Sequence, residues 1–331
     1  MRRLAAALLL ATATLVPSAV ATEAPRTWAL LVGCGDCPFL ARHLGPEAYE
    51  ARVRLHGPGA DVRALEATLV ATLGVAPERI TVLSGFTDDA PLGNPTRENV
   101  LRALVRLSRA VAPGDRAIFH FAGHGSRVPD LSGDEADGLD EVLLAADVRT
   151  WDGEGRRIPG AILDDEIGVR LRAIRDAGAT VWAIFDCCHA GTMIRGGDGA
   201  LRVRRLAADV LGVPAPSIRG GFADRGGLVE GGELGGLVAT YAARADQRSA
   251  EMRLPRGAAD APWRGLLTWA LVEDLQRTKG AGDVFALDAR LRAAFLAASF
   301  QGASPFSEGD VALSPAGPGP TTPRSRELPG L

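Results

Sequence analysis

Four short apolar runs, Trp28–Val32, Arg79–Leu83, Ala117–Phe121 and Val181–Phe185, alternate with segments of helical periodicity. This alternation constrains the fold more than any other feature. Val62, Leu65, Leu69 and Leu73 recur at helical spacing and stop at Gly74. After Asn94-Pro95-Thr96, the residues Val100, Leu101, Leu104, Val105 and Leu107 form a second apolar stripe, and Ile167, Leu171 and Ile174 form a third behind Asp164. Such an order predicts an α/β fold around a mostly parallel sheet, whose functional loops gather beyond the carboxyl ends of the strands. Two unusual loops stand at such ends: Gly123-His124-Gly125 after the third run and Asp186-Cys187-Cys188-His189 after the fourth.

The flanks read differently. Arg2 and Arg3 precede an apolar stretch from Leu4 to Val16, and Ala19-Val20-Ala21 then offers a small-residue exit, so residues 1–21 are expected to be a cleavable export leader. The stretch is too short to favour a permanent membrane anchor. Residues 22–313 are expected to form the folded domain and to be exported, with a long mobile Arg/Gly-rich segment at 195–236. A strand at Leu237–Ala242 and helices at Leu266–Leu275 and Leu287–Ala298 follow. The proline-rich tail 314–331 is expected to be disordered.

With 37 basic against 40 acidic residues, the net charge of −3 provides no overall basic field to attract nucleic acid. A hydrophobic content of 47% supports a large core and excludes a disordered chain. The four cysteines are too few for a disulfide framework in a chain of 331 residues.

A thiol attacks carbonyl carbon as thiolate, so a catalytic cysteine needs a nearby base and main-chain donors for the developing oxyanion. Cys188 and His124, in glycine-flanked loops at strand ends, supply that pair; the alternative is a buried structural cysteine and a capping histidine. His120-Phe121-Ala122-Gly123-His124-Gly125 resembles the histidine motif of the metacaspases and other caspase-like cysteine peptidases, and Asp186–Gly191 is similar to their cysteine motif. The likeness extends to Gly57–Val62, to Gly133–Glu141, to Leu163–Glu166, to Ala242–Glu251 with Asp246-Gln247, and to Gly265–Ala270. It implies a caspase-like three-layer sandwich, Cys188 as nucleophile rather than Cys187, and His124 as base. Main-chain N–H groups at Cys188 and Gly125 would then hold the oxyanion.

Two carboxylates in one pocket favour arginine or lysine on the acyl side of the cut bond. The resemblance implies that Asp61 and Asp186 play this role; the alternative for Asp61 is to cap its helix. Peptide or protein substrates follow, and no cofactor is required for the chemistry. The resemblance also implies calcium as an activator, held by Asp140, Asp164 and Asp165, although the acidic loop has no EF-hand spacing and a further ligand of the family falls near Arg195. Ala122 and Ala190 stand where relatives carry serine.

Arg202, Arg204, Arg205, Arg219 and Arg225 lie in the 195–236 segment, and self-cleavage is expected between residues 195 and 230, against an ordinary flexible insertion. Two further readings stand beside the peptidase: a non-catalytic peptide-binding protein of the same fold, and a thiol-disulfide protein using Cys34-Gly35-Asp36-Cys37. For that C-x-x-C pair, a local disulfide and simple packing are both open.

Overall fold

The computed structural model describes residues 24–86, 93–133, 138–188, 201–214, 235–243, 249–281, 284–298 and 305–309. The leader and the tail read from the sequence lie outside these residues.

The central sheet is built from β1 (Thr27–Gly33), β2 (Ile80–Ser84), β3 (Arg116–Ala122), β7 (Thr180–Asp186), β9 (Leu237–Tyr241) and β12 (Phe306–Gly309), in the order β12-β9-β7-β3-β1-β2. Five strands are parallel, and β12 closes one edge antiparallel to β9. Side chains alternate between the two faces with the period of two that strands impose. Leu30, Val32, Phe119, Phe121, Ala183 and Phe185 pack on one face with α4 (Arg97–Ala110) and α5 (Asp164–Asp176). Leu31, Ile118, Trp182 and Ile184 pack on the other with α3 (Pro58–Leu73), α6 (Leu266–Thr278) and α7 (Val284–Ala297). The result is three layers, helices–sheet–helices, and both faces of the sheet are buried, which explains why its strands read as continuous apolar runs.

Local chemistry sets the helix ends. Thr96 accepts a hydrogen bond from Asn99 N at 3.3 Å and so starts α4, Pro58 occupies the first turn of α3, and Gly74 ends that helix in the left-handed conformation. Two short helices that the periodicity does not show, α1 (Pro38–Leu44) and α2 (Pro46–Arg52), fill the connection after β1. Among the described residues no helix is long and apolar enough to cross a membrane.

Two small sheets stand at the carboxyl end of the main one. One joins β4 (Gly125–Pro129), β5 (Leu139–Leu144) and β6 (Ala161–Leu163); the other joins β8 (Leu201–Val203), β10 (Ala250–Arg253) and β11 (Trp263–Gly265) in the order β11-β10-β8. Within the segment 195–236 expected to be mobile, residues 201–214 and 235–236 are described, and β8 shows that the first of these parts is packed into the fold. Leu201–Val203 is paired antiparallel with β10, and Arg204, Leu206 and Leu211 are buried. The reason is a polar burial that composition does not reveal: the fully buried Arg204 is matched by carboxylates brought from three distant parts of the chain.

Candidate active site

β3 and β7 are neighbours in parallel register, with Ala122 opposite Asp186. The loops leaving them therefore begin side by side, and Gly123 N donates to Asp186 O at 3.4 Å. A Cβ at position 125 would overlap the Cys188 carbonyl oxygen, so the two loops touch through bare backbone where only glycine fits. The loops that carry the sequence-predicted residues His124 and Cys188 thus meet through their backbones.

Both side chains are buried and neutral there. His124 Nε2 lies 2.5 Å from the Val53 carbonyl oxygen. A carbonyl can only accept, so Nε2 carries the proton and the lone pair sits on Nδ1, which has no hydrogen-bond partner among the described residues. Burial pushes His124 down to about 4. The Cys188 thiol is held by Ser249, whose N–H donates to Sγ at 2.7 Å and whose carbonyl accepts from Sγ at 3.3 Å. Burial pushes this thiol up to about 12, against the pull of the Ser249 N–H and of Arg205.

A segment of the chain itself runs between the two loops. Arg204 N donates to Ser249 O at 3.0 Å, and the Arg204 carbonyl oxygen accepts from Cys188 N at 3.1 Å and from Gly125 N at 3.2 Å. Beyond it, Leu206 N donates to Gly125 O at 3.1 Å and the Ser126 hydroxyl donates to Leu206 O at 2.8 Å. Two main-chain N–H groups converging on one carbonyl oxygen, beside a thiol, are the donors a tetrahedral oxyanion requires.

The Arg204 side chain enters a wholly buried acidic pocket. Its guanidinium is paired with Asp61, with Asp186 at 3.2 Å and with Glu251 at 3.5 Å, and all four side chains are inaccessible to solvent. Burial works against its charge, but Asp186, Asp61 and Glu251 outweigh it and hold Arg204 above its ordinary range. Each carboxylate is anchored in turn. Asp61, in the first turn of α3, accepts from Arg264 Nε at 2.9 Å and from Gly265 N, and does not cap its helix. Asp186 accepts from the Ser249 hydroxyl at 3.0 Å, the Thr268 hydroxyl at 2.7 Å and Thr268 N at 2.9 Å. Glu251 accepts from His56 N at 2.7 Å and Gly57 N at 2.9 Å. Burial pushes Asp61 up to about 6, opposed by Arg204 and Arg264, so it stays ionised at neutral pH.

Asp61 and Asp186 were expected in this pocket from the sequence. Glu251, Ser249, Thr268 and Arg264 carry no such signal, and Arg204 stands out in the sequence only as one of the arginines open to self-cleavage. The alternation Ser249-Ala250-Glu251-Met252 is the one sequence signal for a short strand there, while Thr268 sits on an ordinary amphipathic helix. Asp246 and Gln247 lie outside the described residues.

Asp164, at the start of α5, is pushed up to about 7 by burial and by the neighbouring charges of Glu141, Asp165 and Asp140. Excess negative charge there suits a cation in kind. Yet among the described residues no group of three or more His, Cys, Asp or Glu side chains stands close enough to hold a metal, so the residues described do not complete a ligand set. Cys34 and Cys37 are free and buried; the hydrogen bond to Cys37 and burial push the Cys34 thiol well up.

A mostly parallel sheet between two helical layers, with cysteine and histidine loops at adjoining strand ends, defines the caspase-like α/β class. Residues 42–196 match the family model of the metacaspase peptidase C14 domain. Metacaspase-1A of Neosartorya fischeri is 35% identical over 198 residues, covering 56% of this chain and 42% of the relative. Metacaspase-1 of Emericella nidulans is 34% identical over 197 residues, covering 56% and 45%. The chain thus matches less than half the length of these relatives. Protein GSU0716 from Geobacter sulfurreducens shares the fold, with a TM-score of 0.56 at 20% identity over 86% of this chain and 93% of that one.

Proposed function

We propose that the protein is a cysteine endopeptidase that cuts after arginine or lysine, and that its first substrate is its own Arg204–Arg205 bond. One observation carries the reading: the Arg204 carbonyl oxygen receives the Cys188 and Gly125 N–H groups while its guanidinium fills the Asp61–Asp186–Glu251 pocket. A residue bound in this way has its carbonyl polarised and its side chain identified at once.

In the proposed chemistry, the Cys188 sulfur attacks the Arg204 carbonyl carbon as its proton passes to His124 Nδ1, the ring atom with the free lone pair. The tetrahedral oxyanion rests on the Cys188 and Gly125 N–H groups. Collapse breaks the C–N bond, and the proton on Nδ1 goes to the departing Arg205 amine. A water molecule then adds to the thioester, giving a proton to Nδ1, and the thiol is restored with a carboxylate on Arg204. Since thiol and imidazole are both neutral in the closed site, proton transfer accompanies attack instead of preceding it.

The test is mass spectrometry of freshly made protein. A new amino terminus at Arg205, absent from Cys188→Ala and from His124→Ala, is the expected result, together with hydrolysis of Arg- and Lys-terminated reporters. An intact wild-type chain that also leaves every such reporter uncut overturns the reading. Two accessory readings belong with it. Calcium is read as an activator drawn to the negative charge of Asp140, Asp164 and Asp165 and needing ligands beyond these three, which a chelator titration of reporter turnover checks. Residues 1–21 act as an export leader, which amino-terminal sequencing of the exported chain at Thr22 checks.

A further inference from the structure

Resting on the reading of Arg204 as a bound substrate residue, we infer that the enzyme has a second basic subsite, two residues upstream of the first. It selects chains with arginine at both P1, whose carbonyl is attacked, and P3. Arg202 occupies that position. Its Nη1 donates to the carbonyl oxygens of Glu50 at 2.6 Å and Arg54 at 2.9 Å, and its Nη2 lies 3.2 Å from the Glu50 carboxylate. Its guanidinium carbon stands 5.7 Å from the centroid of the Trp263 ring. Carboxylate, two carbonyls and an aromatic face form a complete guanidinium receptor.

None of these groups belongs to the P1 pocket. Glu50 comes from α2 and Trp263 from β11, and the two are linked through His56, whose Nε2 lies 3.0 Å from Glu50 Oε1 and whose ring lies 5.8 Å from that of Trp263. The main-chain register fixes the spacing. β8 is antiparallel to β10, with Arg202 opposite Glu251 and Val203 opposite Ala250, so a bound peptide extends β10 by one strand. Along such a strand P1 and P3 share a direction, and the intervening residue points the other way. The P3 site is shallower than P1: the Arg202 side chain is 26% exposed and Glu50 49%, against zero for Arg204. Its contribution to specificity is correspondingly smaller.

The experiment compares fluorogenic peptides ending Leu-Arg-Val-Arg, Leu-Ala-Val-Arg, Leu-Glu-Val-Arg and Leu-Arg-Val-Ala. Replacing the P3 arginine by alanine is expected to lower kcat/KM about fivefold to tenfold, mainly through KM, and glutamate more. Within each variant the ratio of Arg to Ala at P3 is the readout. It falls towards one in Glu50→Gln and in Trp263→Leu, and Glu50→Arg shifts the preference to glutamate. Equal turnover of the P3 Arg and Ala peptides, with the P1 Ala peptide refused, overturns the second subsite and leaves the peptidase reading standing. If none of the peptides is cut and the chain is never processed at Arg205, the reading of Arg204 as substrate fails and this inference falls with it.

Discussion

The guanidinium of Arg204 rests on the carboxylate of Asp61, and neither side chain reaches solvent. Removing one partner of such a pair leaves the other charge buried and uncompensated, which costs roughly 3–5 kcal/mol. Arg204→Ala is therefore expected to destabilise the protein by about that much at pH 8 and to abolish self-cleavage. The sign with pH follows from Asp61. Its folded value, about 6, lies above its ordinary 3.8, so its contribution is present in full at low pH and is lost as pH rises through the folded value. Taking Arg204 away raises Asp61 further, so the loss in Arg204→Ala should shrink as pH falls from 8 to 5. Urea denaturation at the two pH values measures it, and a loss independent of pH contradicts the account.

His120 and His124 are both pushed down to about 4, chiefly by burial. A lowered histidine stabilises the fold in full above its ordinary 6.5, and that stability is lost as pH falls through 4. The two imidazole signals should stay at their neutral positions in NMR spectra from pH 8 to 5. His120→Asn, which keeps a donor for Thr268, should lose stability less steeply than wild type between pH 6.5 and 4.

Thr268 joins the second buried histidine to the pocket. Its hydroxyl donates to Asp186 at 2.7 Å and lies 2.9 Å from His120 Nε2, so it accepts from that ring while aiming the carboxylate at the guanidinium. Thr268→Val leaves Asp186 and His120 each short of a partner, at a cost of about 1–3 kcal/mol. We expect KM for arginine reporters to rise about tenfold with a smaller change in kcat, and Thr268→Ser to restore it. An unchanged KM would show that the carboxylate is positioned without the hydroxyl.

Gly125→Ala puts a methyl group into the Cys188 carbonyl oxygen. The backbone on both sides is held by hydrogen bonds to Arg204 and Leu206, so neither loop can retreat without losing them. Processing at Arg205 is expected to fall at least about a hundredfold, the scale for losing an oxyanion donor, while far-ultraviolet circular dichroism stays as in wild type. Wild-type processing by this variant would mean that the loops are not packed as described.

Much of the fold is legible in the chain because the strands are buried on both faces. The runs at Trp28–Val32, Ala117–Phe121 and Val181–Phe185 are β1, β3 and β7 to within a residue or two, and the stripes at Val62–Leu73 and Val100–Leu107 are α3 and α4. The two loops are legible for the same reason, since each follows such a strand. β8 is not. Three residues are too few to display a period of two, and the glycines and arginines around them have the composition of a solvated loop. What holds them, Asp61, Asp186 and Glu251, lies in three separate parts of the sequence, and only the folded sheet brings those carboxylates to one point. Glu251 and Thr268 escape notice because nothing local separates them from any strand-edge glutamate or helical threonine.

The slot that grips Arg204 and Leu206 accommodates an uncharged peptide link, held by main-chain hydrogen bonds and the Ser126 hydroxyl. Severing that link would create a carboxylate on the buried Arg204 and an ammonium on the half-buried Arg205, two charges where the slot holds a neutral amide. The two new ends would strain to leave, and rejoining them would require stripping both of solvent again. Self-cleavage at this place would therefore behave as a ratchet, turning once and exposing the groove for good.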